Sequence, residues 1–155
     1  MAGINDRPKI EKAARAVAVD GGVVVDCSGV EVMSSSYFDA AVWPLWSASE
    51  LFPILSKVPP AALDDIELVL KANSGAVWHL AKGEPRLLGQ LDPSLVKTLD
   101  EVAKRGEVSA GDLAEVDRAI GPTAWSNRLA ALYQLRLVRR KKDGRRLNYI
   151  VSWRT

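Results

Sequence analysis

In the C-terminal half of the chain, apolar residues recur at helical spacing between clear stop signals. Leu95, Leu99 and Val102 stand four and three apart, behind Pro93 and ahead of Gly106, and predict an amphipathic helix ending near Arg105. Ser109 with Asp112 three residues on has the form of a capping box, and it opens a second helix with Leu113, Val116 and Ile120 as its stripe. Gly121-Pro122 reads as its stop. Thr123 is placed as the cap of a third helix, whose buried stripe is Trp125, Leu129 and Leu132 and whose opposite face carries Ser126, Asn127, Ala130, Ala131 and Gln134. Leu137-Val138 then returns to the core. The segment "RRKKDGRRLNYIVSW" reads as a hairpin turning at Asp143-Gly144, and its second strand alternates Leu147, Tyr149, Val151 and Trp153 with Arg146, Asn148, Ser152 and Arg154.

The N-terminal half mixes periods. Ile10, Ala14, Val17 and Ala18 predict a helix closed by Gly21-Gly22, and the β-branched run from Val23 to Val25 predicts a strand covered on both faces, with Asp26 at its end. Ser34, Ser35 and Ser36 lead into a helix bearing Phe38, Ala41, Val42 and Leu45. The alternation of Ile66, Leu68 and Leu70 in "DDIELVLKAN" predicts a second strand, and "SGAVWHLAKG" a closing helix. Helix alternating with strand implies a small α/β layer with a parallel crossover.

Charge divides the chain in the same way. Residues 1–86 carry 8 basic and 11 acidic side chains, net −3, whereas residues 87–155 carry 13 and 8, net +5. Gly83, Pro85, Gly89 and Pro93 punctuate an aperiodic stretch between them, which sets the expected domains at residues 1–88 and 89–155. Arg136, Arg139, Arg140, Lys141, Lys142, Arg145, Arg146 and Arg154 are opposed locally only by Asp143, so the whole-chain charge of +2 understates the field there. An anionic partner is implied.

Candidate chemistry follows from that charge. A helix entering the major groove presents small residues and short polar side chains, as Ser126, Asn127 and Gln134 are, while Arg128 at the flank suits a phosphate. Four tip cations, Lys141, Lys142, Arg145 and Arg146, repel one another unless an anion is near. Trp125 reads as core. Cys27 is the only cysteine and His79 the only histidine, so neither a disulfide nor a Cys/His zinc site is expected, and His79 reads as a packed or surface residue. No nucleophile, acid and base share a recognisable spacing, which points to a non-enzyme without a cofactor. With 48% hydrophobic residues, no bilayer-length apolar run and no leader, a cytoplasmic protein without membrane partners is expected.

The order helix, helix, helix, hairpin over residues 91–153 resembles the winged helix-turn-helix of bacterial regulators, most specifically in "SNRLAALYQLRLVRRKKDGRRLNYIV". Arg136 stands where many such domains have glycine. The resemblance implies an α+β domain that reads double-stranded DNA through Thr123, Ser126, Asn127, Arg128, Gln134 and the tip cations. "VVVDCSGVEVMSSSYFDA" resembles the STAS-like family, relatives of the sulphate-transporter and anti-sigma-antagonist domain, over residues 9–82. That resemblance implies an α/β module contacting a protein partner and, by motif position, Ser36 as a phosphoacceptor; Ser34 and Tyr37 replace the family's usual acidic residue and glycine. Capping of the helix by these serines is the plainer reading. Trp43, Trp46, Phe52 and Leu55 exceed what one short helix can hide, so this segment is expected to pack on a second copy, the other domain or another protein. The expected function is a DNA-binding regulator; the alternative is a protein-interaction adaptor of the anti-sigma-antagonist type.

Overall fold

The β-branched run from Val23 to Val25 makes a strand, but at the edge of its sheet and with Val24 exposed rather than covered on both faces. In the computed structural model, which describes residues 2–30 and 32–154, the chain forms two units, Met1–Gln90 and Leu91–Thr155, each with its own sheet. Leu87 to Gln90 carry no charge, so the balances of −3 and +5 apply to the units themselves.

The first unit opens with α1 (Ala2–Val17), followed by β1 (Gly22–Asp26), a short helix α2 (Ser35–Tyr37), a π turn over Phe38–Val42 and a 3₁₀ turn over Trp43–Ser47. Then come β2 (Phe52–Ser56), α3 (Pro60–Ala72), β3 (Ala76–Ala81) and β4 (Glu84–Gly89). The sheet order is β1-β2-β3-β4, with β1, β2 and β3 parallel and β4 antiparallel at the edge. A mixed α/β architecture results. Phe38, Leu55, Ile66 and Leu70 lie at its centre, and each such side chain contributes about 1.5–3 kcal/mol by leaving water.

Three expectations fail here, each for a physical reason. "DDIELVLKAN" is part of a helix, α3, because the wider window places Ala62, Ile66, Val69 and Leu70 on one buried stripe behind Pro60 at the first turn. Leu68, the middle member of the supposed alternation, is exposed. "SGAVWHLAKG" is a strand, not a helix: β3 lies between β2 and β4 and is buried on both faces, so its sequence shows no period at all. The punctuated stretch at residues 83–89 is β4 rather than linker. Pro85 is tolerated on this edge strand, and Lys82 and Gly83 make the tight turn into it with φ of 53° and 81°.

The aromatic segment corrects a fourth. Trp46, Leu45 and Leu55 belong to the first unit's own core, and Trp43 packs against it, stacked on Trp46 with ring centroids 5.5 Å apart. β2, unrecognised in the sequence, is what absorbs this apolar excess. The motive for a second copy at that segment is therefore removed. Helix α1 also begins well before Ile10, running through Pro8 to Val17, and Val17 itself is exposed.

The second unit runs α4 (Pro93–Arg105), β5 (Glu107–Val108), α5 (Ala110–Val116), α6 (Pro122–Gln134), β6 (Val138–Asp143) and β7 (Arg146–Val151), with sheet order β5-β7-β6. Leu99, Val102, Leu113, Trp125, Leu129, Leu132 and Leu137 are buried. Only β5, two residues long, has no counterpart in the sequence reading. Among the described residues no helix is long and apolar enough to cross a membrane.

Candidate nucleic-acid interface

Helix α5 begins on a reciprocal capping box. Ser109 Oγ accepts from the Asp112 amide at 3.1 Å, and Asp112 Oδ2 accepts from the Ser109 amide at 2.9 Å. The helix ends at Val116, earlier than its apolar spacing suggests. Asp117 closes it: its carboxylate accepts from the Ala119 amide at 3.2 Å and from Lys97 Nζ at 3.0 Å, drawing the chain into a turn. Val116 is consequently exposed and Ile120 lies outside the helix, so neither forms a buried stripe with Leu113. The Lys97 ammonium, followed by the Ala119 amide, holds the Asp117 carboxyl below its ordinary pKa.

Helix α6 starts one residue before its expected cap. Gly121 is the cap and Pro122 occupies the first helical position, where its missing N–H costs nothing, so the dipeptide read as a stop is a start. Thr123 lies exposed in the first turn. Trp125, Leu129 and Leu132 anchor one side of the helix, which leaves Ser126, Asn127 and Gln134 exposed on the other and Ala130 and Ala131 half-buried. Arg128 sits at the flank, its guanidinium 5.3 Å from the Trp125 ring centroid.

The end of α6 explains how the chain manages without the customary glycine. Arg136 takes φ of 65°, its amide donates to Tyr133 O at 3.0 Å, and the Leu137 amide reaches back to Leu132 O at 3.1 Å, which is a Schellman closure built on an arginine. A side chain in that left-handed region costs about 1–2 kcal/mol. Ser152, buried in the following turn, donates from Oγ toward Arg136 O and Leu137 O, both at 3.0 Å, and holds the closure in place.

Strands β6 and β7 pair from Val138↔Val151 to Asp143↔Arg146, so the two-residue loop is Gly144-Arg145 rather than Asp143-Gly144. Gly144 has φ of 62° at the first loop position, the place a type II′ turn reserves for glycine. The slip matters for chemistry. Arg145 becomes a loop-tip residue, while Arg146 falls in the strand and its guanidinium pairs with Asp112. The Ser109 amide, and after it Arg146, keep the Asp112 carboxyl ionised to lower pH than usual.

Of the four tip cations, therefore, one is compensated. Lys141, Lys142 and Arg145 are exposed and, among the described residues, form no ion pair. Arg139 and Arg154, counted in the basic run, serve the fold instead: Arg139 donates to Arg154 O, and Arg154 Nη2 donates to Ala103 O at 2.9 Å. Arg140 and Arg136 both lie over the Tyr133 ring, at 4.0 and 5.6 Å from its centroid. Tyr133 escaped the sequence reading because its position looks like any flank residue; the signal was an aromatic followed at three and seven residues by arginine.

A groove of about 450 Å³ runs between the α5 start, α6 and the hairpin, lined by Ser109, Asp112, Ser126, Arg145, Arg146 and Tyr149 among others. It joins the polar face of α6, at Ser126, to the cationic tip at Arg145.

In the first unit, Ser34 caps α2 by accepting from the Tyr37 amide at 3.1 Å, and Ser36 is exposed with its Oγ 3.3 Å from Ser34 Oγ. His79 is buried; its Nε2 accepts from the Val58 amide at 3.3 Å, and burial with the nearby Arg86 lowers its pKa. Cys27 is buried and its thiol pKa is pushed up to about 11 by desolvation and Asp26. Among the described residues no cluster of three or more metal-binding side chains occurs. No protein-family model and no curated protein matches the sequence.

Proposed function

We propose that the chain is a regulatory DNA-binding protein in which the second unit, as a winged helix-turn-helix, reads a duplex and the first, as a STAS-like module, receives a protein partner. One observation carries the proposal: within a single unit, Ser126 of the exposed polar helix face and Arg145 of the hairpin tip border the same groove, and that tip bears Lys141, Lys142 and Arg145, which form no ion pair among the described residues. The element order α4-β5-α5-α6-β6-β7 supports the winged reading. In this reading α6 lies in the major groove with Ser126, Asn127 and Gln134 toward base edges, Thr123 and Arg128 toward phosphates, and the tip on the backbone beyond. Arg146 is a reserve cation, held by Asp112. Affinity comes mainly from phosphate neutralisation and falls with salt, while preference among sequences comes from the helix face.

The experiment is a competition assay of the full chain against duplexes of differing sequence. Asn127→Ala changes the ranking of sequences, whereas Lys141→Glu with Arg145→Glu weakens all of them alike. If both variants leave duplex binding untouched, the reading fails and the protein-interaction adaptor takes its place.

A further inference from the structure

The apolar face of β7 runs on past the core that it serves. Leu147, Tyr149 and Val151 share that face by alternation, and Tyr149 and Val151 are buried, but Leu147 is 39% exposed. It stands opposite Lys142 in the hairpin. From Lys141 to Arg146 every residue is exposed and is either charged or glycine, so Leu147 is the one large apolar side chain that the outer hairpin offers. Its surroundings define what can cover it. The groove of about 450 Å³ that Leu147 lines is apolar at Ala110 and Tyr149, cationic at Arg145 and acidic along α5, at Asp112 and Glu115. Arg146 neutralises Asp112, whereas Glu115 is exposed and, among the described residues, forms no ion pair. A phosphate set against α5 would meet a carboxylate, and one set at Arg145 would meet its counter-charge. The occupant therefore carries its negative charge at the hairpin tip and an uncharged, largely apolar group beside Leu147. A nucleic-acid strand alternates in that way, phosphate with sugar.

We infer that this groove seats the sugar–phosphate ridge of one DNA strand, with Leu147 packed on a deoxyribose and Arg145 on the adjoining phosphate. This rests on the duplex-binding reading and deepens it, because Ser126 at one side of the groove and Arg145 at the other leave the strand's backbone to fill the space between them. The leucine contact is non-ionic and blind to sequence. It adds to affinity a part that salt does not screen, which phosphate neutralisation alone cannot supply.

The test measures full-chain affinity for several duplexes of unrelated sequence from about 50 to about 200 mM salt, together with thermal unfolding, for the wild type, Leu147→Ala, Leu147→Met and Arg145→Ala. Leu147→Ala is expected to bind about threefold to tenfold more weakly at every salt concentration, on a log–log line parallel to that of the wild type and equally on every duplex. Leu147→Met keeps the apolar contact and binds within about twofold of the wild type. Arg145→Ala instead gives a slope shallower by about one. Undiminished affinity in Leu147→Ala, in a protein that Arg145→Ala weakens, overturns the sugar seat and leaves duplex binding standing. A loss confined to particular sequences places Leu147 on a base, and a loss that tracks the unfolded fraction assigns it to the fold; either result also overturns the seat. Absence of any salt-dependent duplex binding by the wild type overturns both the seat and the reading beneath it.

Discussion

The two units differ in the sign and clustering of the charge they leave exposed. In the first, the distinctive groups are turned inward or occupied: His79 accepts from the Val58 amide, Cys27 is buried, Ser34 caps a helix, and Tyr37 Oη donates to Asp6 at 2.9 Å. In the second, Thr98, Ser109 and Ser152 are buried beside the apolar side chains around Trp125 and Leu132, while Lys141, Lys142 and Arg145 stand exposed on a tight hairpin. Both units spend polar groups on holding themselves together, as Lys97, Arg146 and Arg154 do in the second, but the unit of net +5 also gathers three exposed cations, Lys141, Lys142 and Arg145, that form no ion pair among the described residues.

This contrast can be broken most forcefully in the cores. Phe38→Ala in the first unit and Trp125→Ala in the second should each lower stability by about 3–5 kcal/mol in denaturant titrations. The lesion in the second unit should abolish duplex binding as well. Next in size is charge reversal at Lys141, Lys142 and Arg145, which should reduce duplex affinity by about a hundredfold or more at moderate salt with no change in melting temperature. A loss of stability of the same order would show that these side chains serve the fold.

Asp112→Ala separates the two roles within one residue. Removing it deletes half of the capping box and should cost about 1 kcal/mol of stability, and it releases Arg146, so duplex affinity should rise by about twofold to fivefold. Stability lost and affinity gained would mark Asp112 as an internal counter-ion.

Acid should distinguish the units by window. His79 has a lowered pKa in the fold, so its contribution is complete above the unfolded value of about 6.5 and is lost as pH falls below it. Asp112 and Asp117 also have lowered values, but their contributions remain until pH drops below about 4. Hydrogen exchange followed from neutral pH toward pH 5 should therefore loosen the first unit before the second, and His79→Gln should flatten that early response.

Most of the second unit was legible because its helices are amphipathic and announce their ends: Pro93, the Ser109–Asp112 box and Gly106 each act locally. Misreadings there were of one residue at Thr123 and at the loop, where Gly121-Pro122 and Asp143-Gly144 each permit two registers, and of four residues at the end of α5, where Asp117 stops the helix before Ile120. The first unit was harder because burial on both faces erases periodicity. β3 reads as apolar without a pattern, and α3 reads as alternating if only Ile66, Leu68 and Leu70 are considered. β2 was hidden among aromatic residues, since its pairing with β1 and β3 across the chain leaves no local mark, and β4 was hidden because Gly83, Pro85 and Gly89 read as linker punctuation. The pairing of Arg146 with Asp112 spans 34 residues and could not be seen from the charge run at all.

The account stands on the hairpin tip meeting phosphodiester oxygens. Its most direct test is the salt dependence of the full chain's affinity for duplex DNA, measured beside the variant reversed at Lys141, Lys142 and Arg145. The wild type should give a linear log–log fall with a slope of about −3 or steeper, and the variant a slope shallower by about three. A folded wild-type protein whose affinity is absent, or unmoved by salt, would contradict it.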